Sequence, residues 1–258
     1  MTDGSGPRPA RPIPTLTDTD LYRRGADTLV ASWEQYARAS RDAAVIRSPG
    51  VAAAVFPTEP ERGVYNNALL ERALDAPDRT AALDAMEAAY ASRGVPQFAA
   101  WVHESDEAMR AELAARGYTV SESTRAMGMA LDDIRVPRPD LDLAAPSWPE
   151  YVRVSGMPPD LLRDLEPSAF RVLVARLDGE SVAAAMGRDH GDDFGVHGVL
   201  TREPARGRGL GTALTALLAH DAAARGCRTA TLQATEMGER VYAAVGFRDL
   251  GRILEYVP

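Results

Sequence analysis

Val199-Leu-Thr-Arg-Glu-Pro-Ala-Arg-Gly-Arg-Gly-Leu-Gly-Thr212 sets a turn rich in glycine and arginine between an apolar strand and a long alanine-rich helix. At such a junction the unpaired N–H groups of the helix start converge on one point, and the helix dipole adds partial positive charge there. Glycines let the backbone approach an anion without Cβ obstruction, and Arg206 and Arg208 supply full charges. A pyrophosphate is the natural occupant. The same glycines would also suit a tight turn whose arginines are merely solvated. The spacing Arg-x-x-Gly-x-Gly lacks the Lys-Ser/Thr ending of a P-loop. Ala213 and Leu214 follow Gly211 and Thr212, so the Gly-x-Gly-x-x-Gly spacing of a dinucleotide fold is incomplete. ATP and NAD are therefore disfavoured.

Working outward, Phe170 to Leu177 and Glu180 to Met186 read as strands joined by Asp178-Gly179, a strong hairpin signal, and Phe194 to Thr201 as a third. The helix after the loop ends at Gly226; a strand over Thr229 to Ala234, a helix over Glu236 to Val245 and a terminal strand complete this half. Helical signals precede it around Trp148 to Val154 and Leu161 to Leu165, flanking the turn Gly156 to Pro159. In the first half, Leu21, Ala26, Leu29, Trp33 and Tyr36 recur at helical spacing. Val51 to Phe56 and Val64 to Leu70 read as strands around a Pro57 to Gly63 turn, and Asp78 to Arg93 as a helix. Gln97 to Val102 follows as a strand, then a helix over Asp106 to Arg116 capped by Ser105, and two antiparallel strands over Tyr118 to Leu131.

These elements give an α/β (α+β) chain of two tandem halves, each a mixed, mostly antiparallel sheet flanked by helices. The expected division is a flexible tail over 1–19, a first domain over 20–135, a proline-rich linker over 136–142 and a second domain over 143–258. Gln97 to Leu131 can be laid beside Thr229 to Val257, with Gly117-Tyr118 opposite Gly246-Phe247, which suggests an ancient duplication.

A length of 258 residues accommodates two cores, and 45% apolar with 26% charged residues is ordinary for a globular protein. A net charge of -8 argues against nonspecific nucleic-acid binding. Charged residues interrupt every hydrophobic run, so no membrane span is expected, and the first 19 residues lack the apolar stretch of a signal peptide. One cysteine, Cys227, fits a reducing compartment, and the expectation is a cytoplasmic monomer or homodimer. Four scattered histidines lack zinc-ligand spacing, so no metal is expected.

The segment Arg206 to Gly211, with Val199-Leu-Thr201 before it and Leu232 to Gly238 and Val241 to Phe247 after it, resembles the acyl-CoA site of the GNAT acyltransferase superfamily. The resemblance covers about Leu173 to Tyr256. It implies acetyl-CoA as co-substrate and a small-molecule primary amine or amino acid derivative as acceptor. A longer acyl donor, a peptide amine or a CoA-sensing protein without turnover are the alternatives. The backbone of Val199, Leu200 and Thr201 would pair with the pantetheine arm. Arg206, Gly207, Arg208, Gly209, Leu210, Gly211 and Thr212 would wrap the pyrophosphate. Tyr242, four residues before Gly246-Phe247, matches the tyrosine that commonly faces the cofactor sulfur.

Acyl transfer to an amine needs a neutral nucleophile, a stabilised oxyanion and a proton for the leaving thiolate. Tyr242 suits the last task, and a backbone N–H near Val199 the second, by resemblance. For the base the sequence offers His197, on the face of Val199 if the strand is regular, with Glu236 and Asp193 behind it. Cys227 has no base beside it in sequence, so direct attack is preferred to an acyl-enzyme. The first half has Leu113 where Tyr242 would be and no Arg-x-x-Gly-x-Gly, so it resembles a degenerate GNAT-like domain with one cofactor per chain. Phe56, Tyr65, Asn66, Asn67 and Trp101 are its candidates for touching the acceptor.

Overall fold

The computed structural model describes residues 16–58, 65–157, 164–166 and 168–258. Most of the expected tail, the expected turn at Pro57 to Gly63 from residue 59 on, and all but the end of the expected helix near Leu161 lie outside them.

Among the described residues the first half runs α1 (Asp18–Ala39), β1 (Ala44–Ser48), β2 (Val51–Val55), β3 (Asn67–Leu70), α2 (Ala76–Ala91), β4 (Ala99–His103), α3 (Glu107–Ala115) and β5 (Thr119–Ala130). The second runs α4 (Trp148–Ser155), β6 (Arg171–Leu177), β7 (Glu180–His190), β8 (Asp193–Thr201), α5 (Leu210–Arg225), β9 (Thr229–Ala234), α6 (Glu239–Val245) and β10 (Arg248–Val257). Strand β1 pairs with β2 through Pro49-Gly50, where Gly50 at φ +77° supplies the left-handed residue that a turn with proline before it requires. The two strands expected over Tyr118 to Leu131 are one. No turn-forming pair divides Thr119 to Ala130, so the chain stays extended and β5 serves two neighbours in succession.

The mixed, mostly antiparallel sheets of the two halves are joined into one ten-stranded sheet, ordered β1-β2-β3-β4-β10-β5-β9-β8-β7-β6. Counted inward from either edge, each strand of the first half occupies the place of the strand five later in the second. The only parallel pairs among them, β3 with β4 and β8 with β9, also correspond. At the centre the terminal strands are exchanged: β10 lies between β4 and β5, and β5 between β10 and β9. Each half therefore completes the other's sheet.

Helix α1 begins with a capping box between Thr17 and Asp20 and packs across strands of both halves. Its seat is polar. The buried Asp193 carboxylate accepts hydrogen bonds from Thr28 (2.7 Å), Thr229 (2.6 Å) and Thr231 (2.7 Å), and Arg24 pairs with Asp192 beside it. Asp193 thus docks α1 onto β8 and β9. Asp193→Ala leaves three hydroxyls without their acceptor and should cost about 3 kcal/mol, or roughly 10 °C in Tm, by calorimetry. A loss below about 1 kcal/mol would refute the docking role.

Candidate active site

Parallel strands β8 and β9 are paired only at Asp193–Thr229, Phe194–Ala230 and Gly195–Thr231. Beyond Gly195 they separate, and a cleft of about 640 Å³ opens between them. One wall is Gly198 to Thr201 of β8; the other carries Gln233, Thr235, Met237, Gly238, Val241 and Tyr242. The loop residues Arg206, Gly207 and Gly209 and the first turn of α5, Leu210 to Thr212, close the end.

That first turn is built to be left open. Helices α1 to α4 have their starts capped by the side chains of Thr17, Asp75, Asp106 and Ser147. At α5 the cap position is Gly209, with no side-chain hydrogen bond and no acidic residue in the turn. Its orphan amides face the cleft unneutralised. Gly207 and Gly209 hold φ of +75° and +77°, and a Cβ on either would meet no protein atom within 4 Å. Arg206 is steadied by donating from Nε to the Thr201 carbonyl (3.2 Å). In the first half the corresponding helix α2 starts at Asp75, whose carboxylate accepts from the Asp78 amide at 3.0 Å. A carboxylate already stands where an anion would bind.

Strand β8 alternates cleanly at first: Phe194 and Val196 enter the core under α5, while Asp193 and His197 turn to α1. The alternation breaks at Gly198. Ala184 pairs with Leu200 but Met186 with His197, so Ala185 faces two residues, a β-bulge with Gly198 at φ +50°. The expectation that His197 shares the face of Val199 therefore fails. Val199 packs on the α5 side, whereas His197 Nε2 lies 2.9 Å from Ser32 Oγ, against Phe170. Ser32 gives its own proton to the Thr28 carbonyl (2.9 Å), which assigns the Nε2–H tautomer to His197. Burial first, and then Arg188, pull its pKa down to about 4, so the ring is neutral at pH 7.

Tyr242 is buried on α6 and lines the cleft, and burial raises its pKa to about 12, so it is a phenol at any physiological pH. Its helix is tied at its first residue, Glu239, to Arg125 of β5 (3.0 Å) and Arg252 of β10 (3.2 Å). The first half thus helps to hold the Tyr242 helix through its exchanged strand.

Of the residues singled out in sequence, Val199 to Thr201, Arg206, Gly207, Gly209 to Thr212 and Tyr242 meet at the cleft; Arg208 and His197 are not in its lining. Glu236 is exposed in the turn before α6. Phe56, Tyr65, Asn66 and Asn67 are buried and Trp101 packs on the same core, with Asn66 Oδ1 accepting from the Phe56 amide (2.8 Å) and Asn67 Oδ1 from Trp101 (3.2 Å). Cys227 has its pKa pushed up to about 11 by burial and by Asp189, which keeps it a thiol. The far wall falls within the Leu232 to Gly238 and Val241 to Phe247 segments of the resemblance, although the resemblance assigns no role to Gln233 or Thr235; sequence reasoning missed Tyr151, whose hydroxyl meets the Gly198 carbonyl. A glycine inside the β8 pattern was the available signal for the bulge.

The sequence model of the acetyltransferase (GNAT) family matches residues 141–247. None of the curated proteins matches the chain. Among solved structures, a GCN5-related N-acetyltransferase from Kribbella flavida is similar at 19% identity and a TM-score of 0.66, over 90% of this chain and 95% of that one. One from Sphaerobacter thermophilus follows at 15% and 0.56, over 94% and 93%. A tandem GNAT protein from the clavulanic acid biosynthesis pathway is similar at 16% and 0.56, over 94% and 96%. At these identities the likeness is one of fold, and it extends over both halves. Residues 141–247 thus carry a domain of the acetyltransferase (GNAT) family, within a fold that the whole chain shares with these GNAT structures.

Proposed function

We propose that the protein transfers an acetyl group from acetyl-CoA to a primary amine of a small molecule or an amino acid derivative. The observation that carries this reading is the uncapped start of α5 opening on the cleft between β8 and β9, with Tyr242 in its wall. Amides of Gly207 to Thr212 would hold the pyrophosphate, with Arg206 and Arg208 adding charge, and the parted edge of Val199 to Thr201 would take the pantetheine arm. Such an edge has backbone groups to offer an extended ligand.

The neutral amine attacks the thioester carbon from the face that carries α1 and α4, forming the C–N bond. A backbone N–H at the bulge meets the oxyanion. Collapse breaks the C–S bond, and Tyr242 donates a hydrogen bond or a proton to the departing sulfur. His197, on the acceptor's side, relays through water the proton that the nitrogen sheds as the C–N bond forms, and with a pKa near 4 it passes that proton on to solvent. A Cys227 thiol held near pKa 11 supports direct attack over an acyl-enzyme. The first half, with Asp75 over its own helix start, supports one cofactor per chain. No helix among the described residues is long and apolar enough to cross a membrane. The lone cysteine fits a reducing compartment, and the reading adopted is a cytoplasmic monomer or homodimer acting without metal.

Purified protein with acetyl-CoA and a panel of primary amines should release free CoA thiol only when a matching amine is present. Saturable acetyl-CoA binding with no release across the panel would favour the CoA-sensing alternative. Failure to bind acetyl-CoA would end the reading.

A further inference from the structure

The β8 bulge is held from outside the sheet. Tyr151, on α4 and with no exposed surface, donates its hydroxyl to the Gly198 carbonyl at 3.0 Å. The fit is close: a Cβ on Gly198 would stand 2.0 Å from that hydroxyl oxygen. Helix α4 is itself fixed, capped by Ser147 at its start and closed by Gly156 in the left-handed region. Trp148 packs edge-on against the Tyr151 ring, with centroids 5.9 Å apart.

A trans peptide is planar, so its C=O and the N–H of the next residue point in opposite directions. Drawing the Gly198 carbonyl to Tyr151 therefore turns the Val199 N–H away from α4. Gly198 and Val199 both line the cleft, so the Tyr151 bond fixes the orientation of a peptide in its wall. Resting on the acetyl-transfer reading above, we propose that Tyr151 is a positioning residue for that reaction. It holds the Gly198–Val199 peptide so that the Val199 N–H polarises the thioester carbonyl and receives the oxyanion. A peptide at a glycine bulge, free of this bond, has other orientations within reach.

The test is infrared difference spectroscopy of acetyl-CoA labelled with ¹³C at the thioester carbonyl and bound to the full chain, with and without Tyr151→Phe. In the wild type the bound carbonyl stretch should fall below its position in free acetyl-CoA. In Tyr151→Phe the band should return toward the free position and kcat should drop about 10–100-fold, with the Kd of acetyl-CoA changed less than about twofold. A purely structural role would lower Tm and leave the band where it was. Tyr242→Phe, acting on the sulfur, should keep the shifted band.

Should Tyr151→Phe fold poorly, Gly198→Ala carries the test, because its Cβ cannot coexist with the Tyr151 hydroxyl in place; it too should lose the shift. A shifted band retained in either folded variant overturns the proposal, as does a wild-type complex whose band does not move. In both cases the transferase reading stands on thiol release. Absence of acetyl-CoA binding by the wild type would remove both.

Discussion

Gly209→Glu is expected to raise the Kd of acetyl-CoA by about 100-fold or more while the protein stays folded. Gly209 caps α5 at φ +77° and offers no side chain to the first-turn amides, and the space before it is open. A glutamate there brings a carboxylate to the point where the pyrophosphate would sit. Two unit charges about 6 Å apart at an effective dielectric of about 20 repel by about 3 kcal/mol, which is about a hundredfold in affinity. Side-chain bulk adds to this. Stability should change far less: a Cβ in the left-handed region costs about 1 kcal/mol, and no protein atom blocks it. Titration calorimetry reads the affinity and thermal unfolding the fold; unchanged affinity would remove the pyrophosphate from this loop. In the first half Asp75 already places its own carboxylate at the start of α2.

The loop was legible in sequence because its information is local. Glycines at left-handed positions, an arginine three residues before Gly209 and an apolar helix behind them need no distant partner to be read. The hairpin at Asp178-Gly179 and the helix end at Gly226 were legible for the same reason. The exchange of β5 and β10 was not. Strand order depends on which edges meet in space, and periodicity records only which face of a strand is buried. His197 shows the limit within a single strand: parity puts it with Val199, and one bulge at Gly198 sends the two to opposite faces. Tyr151 was out of reach for a third reason. Its role comes from a hydroxyl 47 residues away from the carbonyl it holds, on a helix whose pattern requires only an apolar ring there.

Tyr242→Phe is expected to lower kcat about 100-fold and to leave the Kd of acetyl-CoA within about twofold. The phenol lines the cleft, its ring is held against Phe247 at 6.1 Å, and its helix is anchored by Glu239 to two strands, so losing one oxygen should not move the site. Burial puts the hydroxyl near pKa 12, which has two consequences. The proton stays on Tyr242 well above neutrality, so the kcat profile should show no alkaline fall from this group below about pH 10. Against an ordinary thiol near pKa 8.5 full proton transfer is also uphill, although the same apolar surroundings raise the thiolate's affinity for a proton. The hydroxyl's main contribution is then a hydrogen bond that strengthens as charge gathers on sulfur, present in the transition state and nearly absent with the neutral thioester. Such a contribution scales with the basicity of the leaving group. An acetyl thioester of a more acidic thiol should therefore show a smaller deficit in Tyr242→Phe than acetyl-CoA does, measured as kcat for each donor in both proteins. Equal deficits would mean that Tyr242 acts by packing, and full activity of the variant with acetyl-CoA would remove it from the chemistry.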